Sequence, residues 1–275
     1  ITYIMDFSKV KLVVTDMDGT LLNPESEVSS RFFIQFEELK KRNIHFVVAS
    51  GRQYQSILDK LHSIKNDISI IAENGGILKH NDVEQVLLEL SPENIKKAIE
   101  TLRQIKEVYI VLCGRKSAYI ETSNPDFIST FSRYYSEYSI VEDLTNVTND
   151  EFIKIAVYHY DCSETNIFPH INALKTEMQV IVSGQNWLDI SHVDSNKGYA
   201  LKILQKNLGI TKEETMAFGD YNNDLQMLEL AHFSYAMENA HSQVKKIARF
   251  ETKSNSEEGV EIILEQLINS KNDFL

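Results

Sequence analysis

The 275-residue chain carries a formal net charge of -12, with 43% hydrophobic and 25% charged residues. That is enough apolar material for a sizeable core, and too acidic a balance for a polyanionic partner such as nucleic acid. No run approaches the roughly 20 apolar residues of a membrane span, two cysteines are too few for a disulfide framework, and the first residues lack the basic, apolar, small order of a secretory signal. The expected protein is cytoplasmic, with neither nucleic acid nor membrane as a partner.

Residues 10–15, 44–49 and 68–72 are near-continuous apolar runs, the pattern of parallel strands covered on both faces. Between them, residues 31–42 (Phe32, Phe33, Phe36, Leu39) and 53–60 have helical spacing. This βαβαβ order predicts a doubly wound parallel sheet. The pattern changes from about residue 82 to residue 192. There, 83–90, 108–122, 152–161 and 178–190 read as longer alternating strands, interleaved with helices over 92–106, 125–138 and 164–176. Alternation along a strand predicts an antiparallel sheet with one face covered, and hence an inserted α+β domain. Its tyrosines and phenylalanines, with Trp187 and Asp189, are expected mostly in its core, with ligand contact as the other reading. Cys113 and Cys162 lie in apolar strand-like runs and are expected as buried, inert thiols.

After Lys197 the first pattern returns. A helix over 198–208 ends at Gly209, suited to a left-handed cap. A strand over 215–218, a helix over 223–231, a strand over 233–237, a short strand near 249–252 and a helix over 259–268 follow. The expected domains are 1–82 with 193–275, and 83–192.

Four segments punctuate this order: Asp16-Met17-Asp18-Gly19-Thr20, Ser50-Gly51-Arg52, Asn196-Lys197-Gly198 and Gly219-Asp220-Tyr221-Asn222-Asn223-Asp224. Asp16, Ser50 and Asp220 each follow a strand, on the rim where open α/β sheets bind ligands. Carboxylates clustered with a lysine and a hydroxyl donor make a poor core, but a good site for holding magnesium and moving a phosphoryl group. Gly19 allows a sharp turn, and Ser50-Gly51-Arg52 at a helix N-terminus would favour an anion. Calcium loops also carry Asp-x-Asp-Gly, but they are flanked by helices and end in a glutamate; here a buried strand comes first.

Each residue also has a plainer reading. Ser50 alone would be a helix cap, and Lys197 alone a solvated lysine. Asp224 could ligate a metal-bound water or, preferably, orient Lys197. Asn223 could contact the metal or cap its helix. Arg52 reads as a phosphate-side residue or a structural ion-pair former, and Asn74 as a site-lining residue or part of a tight turn with Gly75-Gly76. The eight histidines form no spaced cluster and are expected to be structural.

The order of the four segments resembles the motifs of the haloacid dehalogenase superfamily of phosphohydrolases. The interval from Asp16 to Ser50 is too short for an inserted domain, whereas that from Ser50 to Lys197 holds one. With Ala72-Glu73-Asn74-Gly75-Gly76 before the insert and Trp187-Leu188-Asp189-Ile190 near its end, the chain looks like the Cof-type branch with a C2B cap. The resemblance covers essentially the whole chain. It implies a Rossmann-like core with an α+β cap, and Mg2+ as cofactor. The implied reaction is hydrolysis of a small phosphorylated metabolite, such as a sugar phosphate, flavin mononucleotide or pyridoxal phosphate, through an aspartyl-phosphate. Asp16 would be the nucleophile and Asp18 the acid/base. The metal would be held by Asp16, the Asp18 carbonyl and Asp220. Thr20, Ser50, Gly51, Arg52, Asn74, Lys197 and Asn223 would contact phosphate or substrate, with Asp224 in support. A sugar phosphomutase and a phosphometabolite-binding regulator without turnover are the alternatives; intact Asp16, Asp18, Lys197 and Asp220 count against the regulator. A monomer or weak homodimer is expected.

Overall fold

The computed structural model describes residues 6–272. The chain begins with β1 (Leu12–Thr15), α1 (Ser30–Lys41), β2 (His45–Ala49), α2 (Tyr54–Lys60), β3 (Ser69–Ala72), β4 (Ile77–His80) and β5 (Val83–Val86). It continues with α3 (Pro92–Leu102), β6 (Val108–Gly114), β7 (Ala118–Ile120), α4 (Pro125–Phe131), β8 (Tyr138–Ile140), β9 (Phe152–His159), α5 (Ser163–Asn166), β10 (Met178–Val182) and β11 (Trp187–His192). The last part holds α6 (Lys197–Leu208), β12 (Thr215–Gly219), α7 (Leu225–Glu229), β13 (Phe233–Ala236), α8 (Ser242–Ile247), β14 (Phe250–Glu251) and α9 (Gly259–Asn272). Two compact units result. Among the described residues, one comprises 6–50, Ile64–Ile70 and 197–272; the other comprises Gly51–Ser63 and Ile71–Asn196.

In the first unit, β14, β13, β12, β1 and β2 lie side by side and parallel, with β1 between β12 and β2. Every residue of β1 and β12 is buried, which is why both read as unbroken apolar runs. Helix α1 packs on α9, and α6 on α7, supplying the helix layers of a doubly wound sheet. Ser29 starts α1 by accepting the Phe32 N–H at 3.1 Å, and its hydroxyl donates to Glu261 of α9 at 2.6 Å. Phe32, Phe36 and Leu39 then fall on the buried face at helical spacing.

In the second unit, a six-stranded sheet runs β10-β11-β9-β6-β7-β8 and is antiparallel except for the β7–β8 pair. The inserted α+β character is as expected, but the single covered face is not: central β9 is buried at all eight positions. Phe127, Phe131 and Tyr135 pack on Val111, Ile120 and Ala156, so much of the aromatic content is core. Trp187 is half-buried, its ring edge-on to Tyr158 with centroids 4.9 Å apart.

Several expected elements are divided. The strand expected over 108–122 is the hairpin β6–β7, turned at Arg115-Lys116-Ser117. The turn is held by Asp150, whose Oδ2 accepts the N–H groups of Lys116 at 3.1 Å and Ser117 at 3.3 Å. The helix expected over 125–138 stops at Phe131, and the Ser136 and Glu137 N–H groups donate instead to Gln53 Oε1, each at 3.0 Å. The helix expected over 164–176 breaks into α5 and the 3-10 turns Phe168–His170 and Asn172–Thr176. Pro169 lacks an N–H for a continuous helix. Cys113 is buried on β6, but Cys162 precedes α5 and is only partly buried.

Candidate active site

The strand register brings the acidic segments together. Thr15 of β1 lies level with Phe218 of β12 and Val48 of β2, so Asp16, Asp220 and Ser50 all emerge within two positions of that level. The Asp16 N–H extends the ladder by donating to the Phe218 carbonyl at 3.0 Å. Gly19 turns the chain with a φ of +78°, and a Cβ there would collide with the Asp220 carboxylate; only glycine meets both demands. Thr20 donates its hydroxyl to Asp220 Oδ1 at 3.1 Å.

Lys197, the first residue of α6, is fully buried. Its ammonium donates to Asp16 Oδ1 at 2.5 Å and to Asp224 Oδ1 at 2.7 Å. The other Asp224 oxygen accepts the N–H groups of Asp220 at 2.9 Å and Tyr221 at 3.1 Å. Both oxygens of Asp224 are therefore engaged by donors of the protein itself. Carboxylate oxygens of Asp16, Asp220 and Asp224 lie within 4.8 Å of one another.

Asp16 and Asp224 thus share one ammonium, with the Asp220 carboxylate crowded beside them. Burial pushes the Asp16 carboxyl up to about 7, against the pull of Lys197 and with the push of Asp224 and Asp18. Asp220 is raised by burial and then by Asp16 and Asp224. Burial alone would lower Lys197, but Asp16 and Asp224 together hold its ammonium above the ordinary lysine value. A compact all-oxygen set with surplus negative charge fits a hard divalent cation such as Mg2+. Asp16 and Asp220 could hold such an ion, since both oxygens of Asp224 already accept donors of the protein.

A pH dependence follows. Cation binding displaces the proton held on Asp16, so apparent Mg2+ affinity should rise as pH passes through about 7. The metal-free protein should show the opposite trend in stability. Between the ordinary carboxylate value of about 4 and the raised value, the folded chain holds a proton that the unfolded chain has lost. That contribution is full below the lower value and gone above the upper one. Calorimetric titration and melts in chelator would show both; Mg2+ affinity that is flat across this range would contradict the charge assignment.

Of the other candidates in this unit, Ser50 is buried directly after β2, and Asp18 lies in the turn behind Asp16. Asn223 sits inside the 3-10 turn Asn222–Asp224 and at no cap. Helix α2 begins at Tyr54, close to the expected start at residue 53, with Gln53 at the N-cap position but making no side-chain cap hydrogen bond, so Ser50 lies just before the helix and does not cap it. Gly51, Arg52 and Asn74 belong to the second unit. There the Arg52 guanidinium donates to the Arg133 carbonyl and lies 4.8 Å over the Tyr134 ring, while Asn74 packs against Gly51 and donates to Asp189. Direct contacts therefore gather Asp16, Thr20, Lys197, Asp220 and Asp224 in the first unit.

Sequence reasoning overlooked two asparagines in this unit. Asn239 donates its amide to the Gly19 carbonyl at 2.8 Å and accepts the Asn255 N–H at 3.1 Å, and Asn255 donates to the Leu22 carbonyl at 2.8 Å. Together they clamp the turn after β1. The available signal was position: Asn239 follows the end of β13, on the same rim as Asp16 and Asp220.

The family model of haloacid dehalogenase-like hydrolases matches residues 13–264. The chain belongs to this family. A 5-amino-6-(5-phospho-D-ribitylamino)uracil phosphatase of Escherichia coli (strain K12), YbjI, is 33% identical over 96% of this chain and 98% of its own. Among solved structures, SMU.1108c from Streptococcus mutans UA159 matches with a TM-score of 0.88 and 28% identity, covering 94% of this chain and 99% of that one. The subclass IIB sugar phosphatase BT4131 shares the fold, with a TM-score of 0.80 at 21% identity over 93% of this chain and 98% of that one. The chain is a haloacid dehalogenase-type hydrolase, a phosphoric monoester phosphatase. No helix among the described residues is long and apolar enough to cross a membrane.

Proposed function

We propose that this enzyme hydrolyses a small phosphorylated metabolite in a Mg2+-dependent reaction, through an aspartyl-phosphate on Asp16. The observation that carries this reading is the cluster of Asp16 and Asp220, at the ends of adjoining strands β1 and β12, with Asp224 and the buried Lys197 ammonium. A structural core gains little from three carboxylates around one lysine, because such groups are costly to bury. A phosphoryl-transfer site has a use for each.

An Asp16 oxygen attacks phosphorus, and the bond from phosphorus to the leaving oxygen breaks as Asp18 gives that oxygen its proton. Asp18, now ionised, takes a proton from a water that attacks the phosphorus of the aspartyl-phosphate, freeing phosphate and restoring the Asp16 carboxylate. Lys197 and Ser50 hold the phosphoryl oxygens. Asp224 fixes the Lys197 ammonium, and Thr20 orients Asp220. Asp16, Asp220 and the Asp18 carbonyl would hold Mg2+, which when bound supplies Lewis-acid stabilisation of phosphoryl charge. We assign Arg52 to anchoring through Arg133 and Tyr134.

The name of the Escherichia coli relative makes 5-amino-6-(5-phospho-D-ribitylamino)uracil the first substrate to test, beside sugar phosphates, flavin mononucleotide and pyridoxal phosphate. Free phosphate should appear with Mg2+ and disappear with chelator, with the highest kcat/KM on the ribitylaminouracil phosphate. Full activity in excess EDTA would remove Mg2+ from the account. Isomerised sugar phosphate without free phosphate would make the protein a mutase.

A further inference from the structure

The second unit holds another group of buried charges, which the reaction above does not use. Lys154 on β9, Glu73 after β3 and Asp189 on β11 are all at most 4% exposed. The Lys154 ammonium lies 3.0 Å from Glu73 Oε2 and 3.3 Å from Asp189 Oδ2, and donates to the Gly51 carbonyl at 2.6 Å. Asp189 also accepts the Asn74 amide. A packing role alone would be served better by apolar residues, since desolvating an ammonium and two carboxylates is costly even when they pair.

The backbone at this point is unusual as well. Glu73, Asn74 and Gly75 have φ values of 51°, 53° and 96°, three left-handed residues in succession, two of them with side chains. Such runs persist only where the surroundings over-determine them. Here the Glu73 N–H donates to the Arg52 carbonyl at 3.1 Å. A Cβ on Gly51 would sit 3.1 Å from Asn74 Oδ1, so the two segments touch without spare room. Lys154 is a second donor that binds them together: it takes the Gly51 carbonyl directly and reaches Asn74 through Asp189.

We infer that Lys154 is a positioning residue, which with Asp189 and Glu73 sets the Gly51 carbonyl and Asn74 and so fixes the chain that leaves Ser50. The consequence for turnover rests on the reading that Ser50 holds a phosphoryl oxygen; the placement of the loop does not.

The test compares wild type with Lys154→Met, using p-nitrophenyl phosphate for kinetics and 15N-labelled protein for the Gly51 and Asn74 amide resonances. Both resonances should move, and kcat should fall by up to about 100-fold, as for a small misplacement of a binding group, with KM changing much less. Lys154→Arg, which keeps the charge and a donor, should recover part of the loss. If Lys154→Met does not melt cooperatively, Asp189→Asn carries the same comparison. A folded variant with unmoved Gly51 and Asn74 resonances, or with wild-type kcat, overturns the inference. A wild type without phosphatase turnover, whose variant still shows the shifts, overturns the phosphatase reading and supports the placement of the loop.

Discussion

Asp16→Asn is expected to abolish phosphate release in a protein that still folds. The amide cannot form an acyl phosphate, so the loss should be at least about 10⁴-fold, as for removal of other enzymatic nucleophiles. The fold should survive because Lys197 keeps Asp224 at 2.7 Å and one of the crowded carboxylates is gone. The metal-free variant should also lose the decline in stability between about pH 4 and 7 that the raised Asp16 carboxyl imposes. Phosphate release and thermal melts of the same preparation would show both effects. Near-wild-type activity, under conditions that exclude deamidation, would replace covalent catalysis with direct attack by water.

Lys197→Met should damage catalysis and stability together. Its ammonium is the donor shared by Asp16 and Asp224, and all three groups are buried. Removing one partner of a buried ion pair typically costs about 3–5 kcal/mol, because the remaining charge is left uncompensated. Loss of a preorganised donor to the phosphoryl oxygens should lower kcat by about 10²–10³-fold. The double variant Lys197→Met, Asp224→Asn separates the two effects: stability should largely return, and activity should not. Full recovery of turnover in the double variant would contradict a direct role for the ammonium.

The parts of this account that were legible in sequence share a physical cause. Strands buried on both faces must be apolar throughout, so β1, β2 and β12 stand out, and the polar residue directly after each, Asp16, Ser50 and Asp220, marks the functional rim. Lys197 was legible only by its place among the motifs; nothing local shows that it is fully buried. The turn between β6 and β7 was hidden because its partner, Asp150, lies more than thirty residues further along the chain. Asn239 and Asn255 act through backbone carbonyls, a role any loop asparagine could have. Lys154 sits in a strand whose other residues suit either a one-sided or a two-sided sheet, and only the paired carboxylates of Glu73 and Asp189 explain it.

The central claim is that the phosphoryl group passes through Asp16. The most direct measurement is rapid acid quench of the Asp18→Asn variant during turnover of an aryl phosphate with Mg2+, followed by intact-mass and peptide analysis. Without the Asp18 carboxyl the second step should slow more than the first, because an aryl leaving group departs without protonation. The account predicts a chain heavier by one phosphoryl group, carried on the peptide containing Asp16 and removed by hydroxylamine. Phosphate release with no covalent adduct at any time, or an adduct on a different residue, would contradict it.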